Sequence, residues 1–383
     1  MLIEDAIKSD FEVKLIAVGP VTKHANADSL SMTEVDGAVV IFKTGSFKEG
    51  DQAVYVPTDA LVPTDKPAFE FLKHENRTHH RVKAVRLRGV FSLGLLIPPP
   101  PMVHALEMTL QEYFEIQKYI PPEERAQLEH GAKMAHMKNA RKAKGPKLPV
   151  YGLDNIRKMS DVLQDGELVC ITEKIHGCNF RAVYTGGRLW VGSHKVMRGC
   201  SRHRIAEWFN RQWLKLKSLL GVHHRAHTLE TAGDIWWEQA EALNLKERLK
   251  GFPDMVLYGE VYGEKCQDLT YDSPQGRKFR AFDVYDLKAG RFLDYADFLN
   301  FITNIGLDVN EFTVPALKGC EPWSAEVYAK WKTFADTSKT TLGGKHCIEG
   351  VVIKPMVERN DPRCGRVGLK LVGERFLLSR KDE

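Results

Sequence analysis

The sequence predicts an α+β protein: a small N-terminal OB-type β-barrel, then a larger α+β domain with mainly antiparallel sheets. Residues 11–101 carry short apolar strands with no amphipathic helix between them. Beyond residue 150, strands and helices mix without regular βαβ alternation. Neither G-x-G-x-x-G nor a P-loop pattern occurs. With 383 residues, the chain is long enough for two domains, expected at 1–118 and 150–383 with a basic linker at 119–149.

In order, FEVKLIAVGPV is a strand with apolar alternation, GAVVIFKTG a second, and DQAVYVPTDALVP a third that its prolines end. RVKAVRLRGVFSLGLLIPPPP supplies two more, stopped by Pro98 to Pro101. About five strands in about a hundred residues suit the five-stranded OB barrel, a common nucleic-acid binder. Arg81, Lys83, Arg86 and Arg88 fall in a basic stretch there. They suit either a phosphate-tracking groove or a solvated edge strand, where basic residues discourage aggregation. HALEMTLQEYFEI fits a strand or a helix, and the polar run after it reads as a partly helical linker.

The second domain opens with the strand GELVCITEKIHG, then the hairpin FRAVYTGGRLWVGS, which turns at Gly186–Gly187. Residues 205–220 have a helical apolar period, and IWWEQAEALNLKERLKG reads as a further helix stopped by Gly251. PDMVLYGEVYG and RKFRAFDVYDL are strands, DYADFLNFITNIG is helical, and CIEGVVIKP and GRVGLKLVG close the domain as strands.

A 43% hydrophobic and 27% charged composition is that of an ordinary soluble globular protein. The net charge of +5 is compatible with a polyanionic partner without establishing one. Seven cysteines, an odd number with no C-x-x-C pair, argue against a zinc ribbon or disulfide framework. They favour the cytoplasm or another reducing intracellular compartment. The N-terminus resembles neither a secretory signal nor a membrane anchor. No membrane or obligate protein partner is implied, and a monomer is expected.

Four charged residues sit among apolar strand neighbours: Lys174 in ITEKIHG, Glu260 in LYGEVYG, Glu349 in CIEGVVIKP and Lys370 in GLKLV. Charges are costly inside sheets unless paired or liganded, so together they suggest a polar site on a sheet face. The amines suit a polyphosphate and the carboxylates a divalent metal such as Mg2+ or Mn2+. A nucleophilic lysine must be neutral, and a reference pKa of about 10.4 leaves it protonated. Lys370 or a metal near Lys174 would lower that value, whereas Glu173 alone would raise it. The histidines at 223, 224 and 227 read as a solvated loop, lacking a cysteine partner.

EKIHG, LYGEVYG, FRAFDVY, EGVVIK and GLKLV, in that order, resemble the covalent nucleotidyltransferase superfamily of polynucleotide ligases and capping enzymes. The closer likeness is to ATP-dependent RNA ligases whose catalytic domain follows an OB domain, the Deinococcus and Naegleria type. The resemblance implies that Lys174 attacks ATP and carries AMP to an RNA 5′-phosphate, which a 3′-hydroxyl then attacks. It also implies that Glu173 and Asn179 contact the nucleotide, that Phe279 stacks on adenine, and that Glu260 touches the ribose or a metal-bound water. Glu349 would anchor the metal, Lys370 would bind the α-phosphate, and His176 belongs to the nucleophile motif. Lys195 and Arg198 are alternative cations for the ribose. RNA, as a nicked duplex or as free ends, would be the partner.

Two departures stand out. Cys178 replaces the usual threonine, and the last motif has one lysine where two are common, so one phosphate ligand is missing or is supplied by Lys354 or Arg366. A DNA ligase, a GTP-using capping enzyme, and a non-catalytic RNA-binding protein on a degenerate ligase scaffold remain the alternatives.

Overall fold

The computed structural model describes residues 11–74, 77–119, 145–159, 161–198, 234–264, 266–267, 269, 271 and 276–379. The helix expected over 205–220, the three histidines after it and most of the linker lie outside the described residues.

The N-terminal strands form small antiparallel sheets. Gln52–Val56 sits between Lys14–Ala17 and Leu95–Ile97, and Leu30–Val35 sits between Thr22–Lys23 and Ala38–Lys43. Val54, Val56, Val62, Phe69 and Ile97 form the core. The strand Leu30–Val35 was not expected. Its signal was the Asp36–Gly37 turn, with φ of 50° and 69°, which closes a hairpin onto Ala38–Lys43.

The second domain is built on two facing antiparallel sheets, in which Asp154–Asn155 runs parallel to Leu369–Val372. The five-stranded sheet holds Leu168–Lys174 between Gly350–Pro355 and Ala316–Pro322. Its outer face, with Val169, Ile171, Val351 and Leu371, packs on Trp331 and Ala335 of the helix Ala325–Thr337. That helix was also not expected. Ser324 caps it, accepting from the Val327 N–H.

The six-stranded sheet holds Cys178–Thr185, Met255–Gly263 and Arg277–Asp286 side by side. Its outer face, with Phe180, Leu257, Phe279 and Ala281, packs on Trp236, Leu249 and Phe301 of the flanking helices. The single helix expected from Ile235 to Lys250 is two, Ile235–Ala242 and Leu245–Lys250. Asn244 between them takes a left-handed φ of 49°, which interrupts the helical repeat.

A buried ion network ties the two sheets together. Asp283 Oδ2 accepts from Tyr151 at 3.0 Å, Lys354 at 2.9 Å and Arg366 at 2.6 Å, and Arg366 also pairs with Glu358. Lys354 and Arg366 are therefore committed to Asp283, which corrects the expectation that either replaces the second phosphate-binding lysine. Among the described residues, no disulfide joins the cysteines and no helix is long and apolar enough to cross a membrane.

Candidate active site

Lys174 ends its strand in the five-stranded sheet, and Cys178 begins a strand of the six-stranded sheet. The residues Ile175, His176 and Gly177 thus carry the chain from one sheet to the other. Gly177 passes so close to the neighbouring strand that a Cβ would lie 2.3 Å from Val261 O and 2.9 Å from Glu260 Cγ. Only glycine fits this crossing.

Adjacent strand residues point to opposite faces. Val169 and Ile171 face the outer helix, so Thr172 and Lys174 face the other sheet. Lys174 pairs across the strands with Gly350 and then Val372, while Thr172 pairs with Val352 and then Lys370. Lys174 and Lys370 therefore share the inner face, two strands apart. On the opposing sheet, Asn179, Glu260 and Arg280 are lateral neighbours on the inner face.

Lys174 Nζ lies 2.7 Å from Glu349 Oε1. The other oxygen, Oε2, lies 3.3 Å from His176 Nδ1 and makes no hydrogen bond among the described residues. Burial disfavours the Lys174 ammonium, yet Glu349, with Glu260 behind it, holds its pKa above the ordinary lysine value. Burial opposes the Glu349 carboxylate as well, but Lys174 and then His176 overcome this and hold it down at about 2. Glu260 goes the other way: burial pushes its carboxyl up to about 8 against the opposing pull of Lys174. Glu349 thus acts on Lys174 in the direction opposite to the one a nucleophile needs.

Three expected residues point elsewhere. Glu173 lies on the face opposite Lys174 and is 1% exposed. Its carboxylate accepts from the Thr340 hydroxyl and from the Thr341 N–H and hydroxyl, so it fixes that loop and does not reach toward a nucleotide. Phe279 is buried on the outer face against Phe180, with ring centroids 5.0 Å apart, and cannot stack on a base between the sheets. Arg81 is buried, paired with Asp59 at 2.7 Å and stacked on Tyr119, which withdraws it from an RNA-facing patch.

The remaining basic residues of that stretch differ in setting. Arg86 reaches Glu374 at 3.0 Å, Arg88 is exposed and Lys83 is half-buried. Of the two ribose candidates, Lys195 is exposed on a loop, whereas Arg198 stacks 4.2 Å over Trp236. Trp236 belongs to the helices on the outer face, and Arg198 pairs across the strands with Val191 and then Ala182 of that face, so Arg198 does not point between the sheets, which corrects its expected ribose contact.

Sequence reasoning missed Tyr271, whose hydroxyl accepts the His176 backbone N–H at 2.6 Å. It also missed Thr340 and Thr341. Neither has a local sequence signal, because each acts across a long chain separation.

Several buried polar atoms have no hydrogen-bond partner among the described residues: Asn179 Oδ1, Arg198 Nε, His176 Nε2 and Glu349 Oε2. Buried polar groups are rarely left unmet, so Asn179 Oδ1, His176 Nε2 and Glu349 Oε2 point to a polar ligand between the sheets. No cluster of three or more metal-type side chains occurs among the described residues. Two carboxylates with an unmet oxygen suit a hard cation that keeps water or phosphate oxygens as its other ligands.

Two facing antiparallel sheets with a lysine at the turn between them, behind an N-terminal β-domain, define a covalent nucleotidyltransferase fold. The family model for RNA ligase matches residues 167–372, and one for an OB-fold domain matches residues 13–99. The chain belongs to the RNA ligase family. It is similar in fold to a Naegleria gruberi RNA ligase mutant with ATP and Mn, at 20% identity and TM-score 0.70, covering 97% of this chain and 99% of that one. Another mutant of the same ligase, with AMP and Mn, aligns at 19% identity and TM-score 0.69 with the same coverage of both chains. The ligase with PPi aligns at 19% and 0.67, again with that coverage. No curated protein sequence gives a significant match.

Proposed function

We propose that this chain is an ATP-dependent RNA ligase that joins a 3′-hydroxyl to a 5′-phosphate in nicked duplex RNA, through AMP carried on Lys174. The observation that carries this reading is the Lys174–Glu349 pair at 2.7 Å, set between the sheets.

As an ammonium held by Glu349, Lys174 is no nucleophile and must first lose a proton. Glu349 and Glu260 are the residues that would hold a divalent cation, Mg2+ or Mn2+. When bound there, such an ion would supply positive charge that weakens the hold of Glu349 on Lys174 and offsets polyphosphate charge. The neutral Nζ then forms a bond to the α-phosphorus of ATP as the bond to pyrophosphate breaks. Positioning and charge neutralisation do most of the work in such a transfer. Asn179 Oδ1 faces the nucleoside, and Lys370, on the inner face, meets the α-phosphate. AMP passes to an RNA 5′-phosphate oxygen, and the 3′-hydroxyl attacks that phosphorus and expels AMP. Arg86, Arg88 and Lys83 offer the β-domain's basic face to the RNA backbone.

The test is sealing of nicked duplexes that carry RNA or DNA on the 3′-hydroxyl side, with ATP or GTP. Joining of the RNA nick with ATP is expected. Sealing confined to DNA, or label taken only from GTP, would replace this reading with a DNA ligase or a capping enzyme. RNA binding without any joining would favour a degenerate scaffold.

A further inference from the structure

The helix Glu374–Ser379 lies just beyond the matched RNA ligase segment, yet it reaches the site. Phe376 is 6% exposed, and its ring packs edge-to-face on His176, with centroids 5.2 Å apart at 66°. His176 in turn places Nδ1 3.3 Å from Glu349 Oε2, the oxygen not engaged by Lys174. The Gly373 N–H, just before the helix, bonds to the Glu349 backbone carbonyl at 2.9 Å. The helix thus fixes Glu349 twice, directly through the backbone and through the imidazole at the carboxylate.

Its own seat is tight. A Cβ at Gly373 would lie 2.1 Å from Ala335 O, and the Glu374 N–H bonds to Asp336 at 2.8 Å. The Glu374 carboxylate pairs with Lys332 and with Arg86 of the β-domain, both at 3.0 Å. Leu377 faces an interdomain pocket lined by Thr58, Arg81, Lys83 and Ala84.

Resting on the ligase reading, we propose that Phe376 is a positioning residue for AMP transfer to Lys174. It holds the His176 ring against Glu349 and so sets the carboxylate that controls the lysine. A flat ring edge is needed here, because an aliphatic side chain would fill the volume without fixing the imidazole plane. Displacing a group near the reacting centre by about 1 Å can cost on the order of 100-fold in rate. Phe376 acts through one intermediary, so a loss of about tenfold is expected.

The experiment measures single-turnover formation of the protein–AMP adduct from α-labelled ATP and Mn2+, in the full chain. Four proteins are compared: parent, Phe376→Leu, His176→Ala and the double variant. Phe376→Leu keeps the core filled, so it should fold, with its thermal midpoint as the control. The expected result is an about tenfold slower maximal rate with the ATP half-saturation unchanged, and no further loss when Phe376→Leu is added to His176→Ala. A parental rate, or losses that multiply in the double variant, would overturn the inference while leaving the ligase reading intact. A parent that forms no adduct would overturn both.

Discussion

Lys174 is held as an ammonium by the same carboxylate that would have to release it before attack, while burial works against the charge of the neighbouring Glu260. With its carboxyl pushed up to about 8, Glu260 binds a proton in the folded chain over a range where the unfolded chain has lost it. Between the ordinary glutamate value, about 4.3, and about 8, rising pH therefore removes stability, by a few kcal/mol at most. Glu349, held at about 2, has the opposite sign: its contribution is full above the ordinary glutamate value and is lost as pH falls from there to about 2. Metal-free chain should thus lose stability from pH 5 to pH 8 more steeply than Glu260→Gln, and Mn2+ should recover the parent at pH 8. Thermal unfolding of both proteins with chelator, then with Mn2+, measures this. Parallel curves would remove Glu260 from the site. At this scale the sequence was partly readable. Polar residues inside apolar strands marked Lys174, Glu260, Glu349 and Lys370, because an unpaired charge there is costly. Glu173 was misread, although strand alternation already sends it to the face opposite Lys174.

The crossing turn and its strands are the next level up. Gly177→Ala would drive a methyl into Val261 O and the Glu260 side chain, and so displace the turn that carries Lys174 and His176. Overpacking of this kind costs about 1–3 kcal/mol. Gly186→Ala is the matched comparison: it has a φ of 59° with open space around it, and should cost about 1 kcal/mol through backbone strain alone. Adduct formation should fall at least about 100-fold in Gly177→Ala and stay near parental in Gly186→Ala, with thermal midpoints recorded for both. Equal activity in the two variants would show that the turn does not position the lysine. The Gly186–Gly187 hairpin and the lysine strand were legible from turn chemistry and apolar alternation. Phe279 was not, because a period of two shows that faces alternate but not which face meets the helices. Its place follows from the pairing of Val261 with Phe279 and Glu260 with Arg280, a register that needs the partner strand.

Across the whole molecule, the order of a β-domain followed by a two-sheet domain could be read from strand density and the missing βαβ alternation. How the domains meet could not, since each contact joins distant residues. Gly37 abuts Arg157 O, Asp36 lies 3.6 Å from Lys158, and Arg86 reaches Glu374, 288 positions away. Arg81 was lost from the basic patch for the same reason, since its partner Asp59 lies on another strand's turn. These contacts place the basic hairpin of the β-domain against the helix that packs on His176, so that hairpin and the lysine side share one support. The proposed chemistry nevertheless depends on a single bond, between Lys174 Nζ and the α-phosphorus of ATP. Incubating the full chain with α-labelled ATP and Mn2+, beside Lys174→Ala, tests it most directly. An acid-labile, hydroxylamine-sensitive protein–AMP adduct that maps to Lys174 in the parent and is missing from the variant is the expected result. Undiminished labelling of Lys174→Ala, or an unlabelled parent, would contradict it.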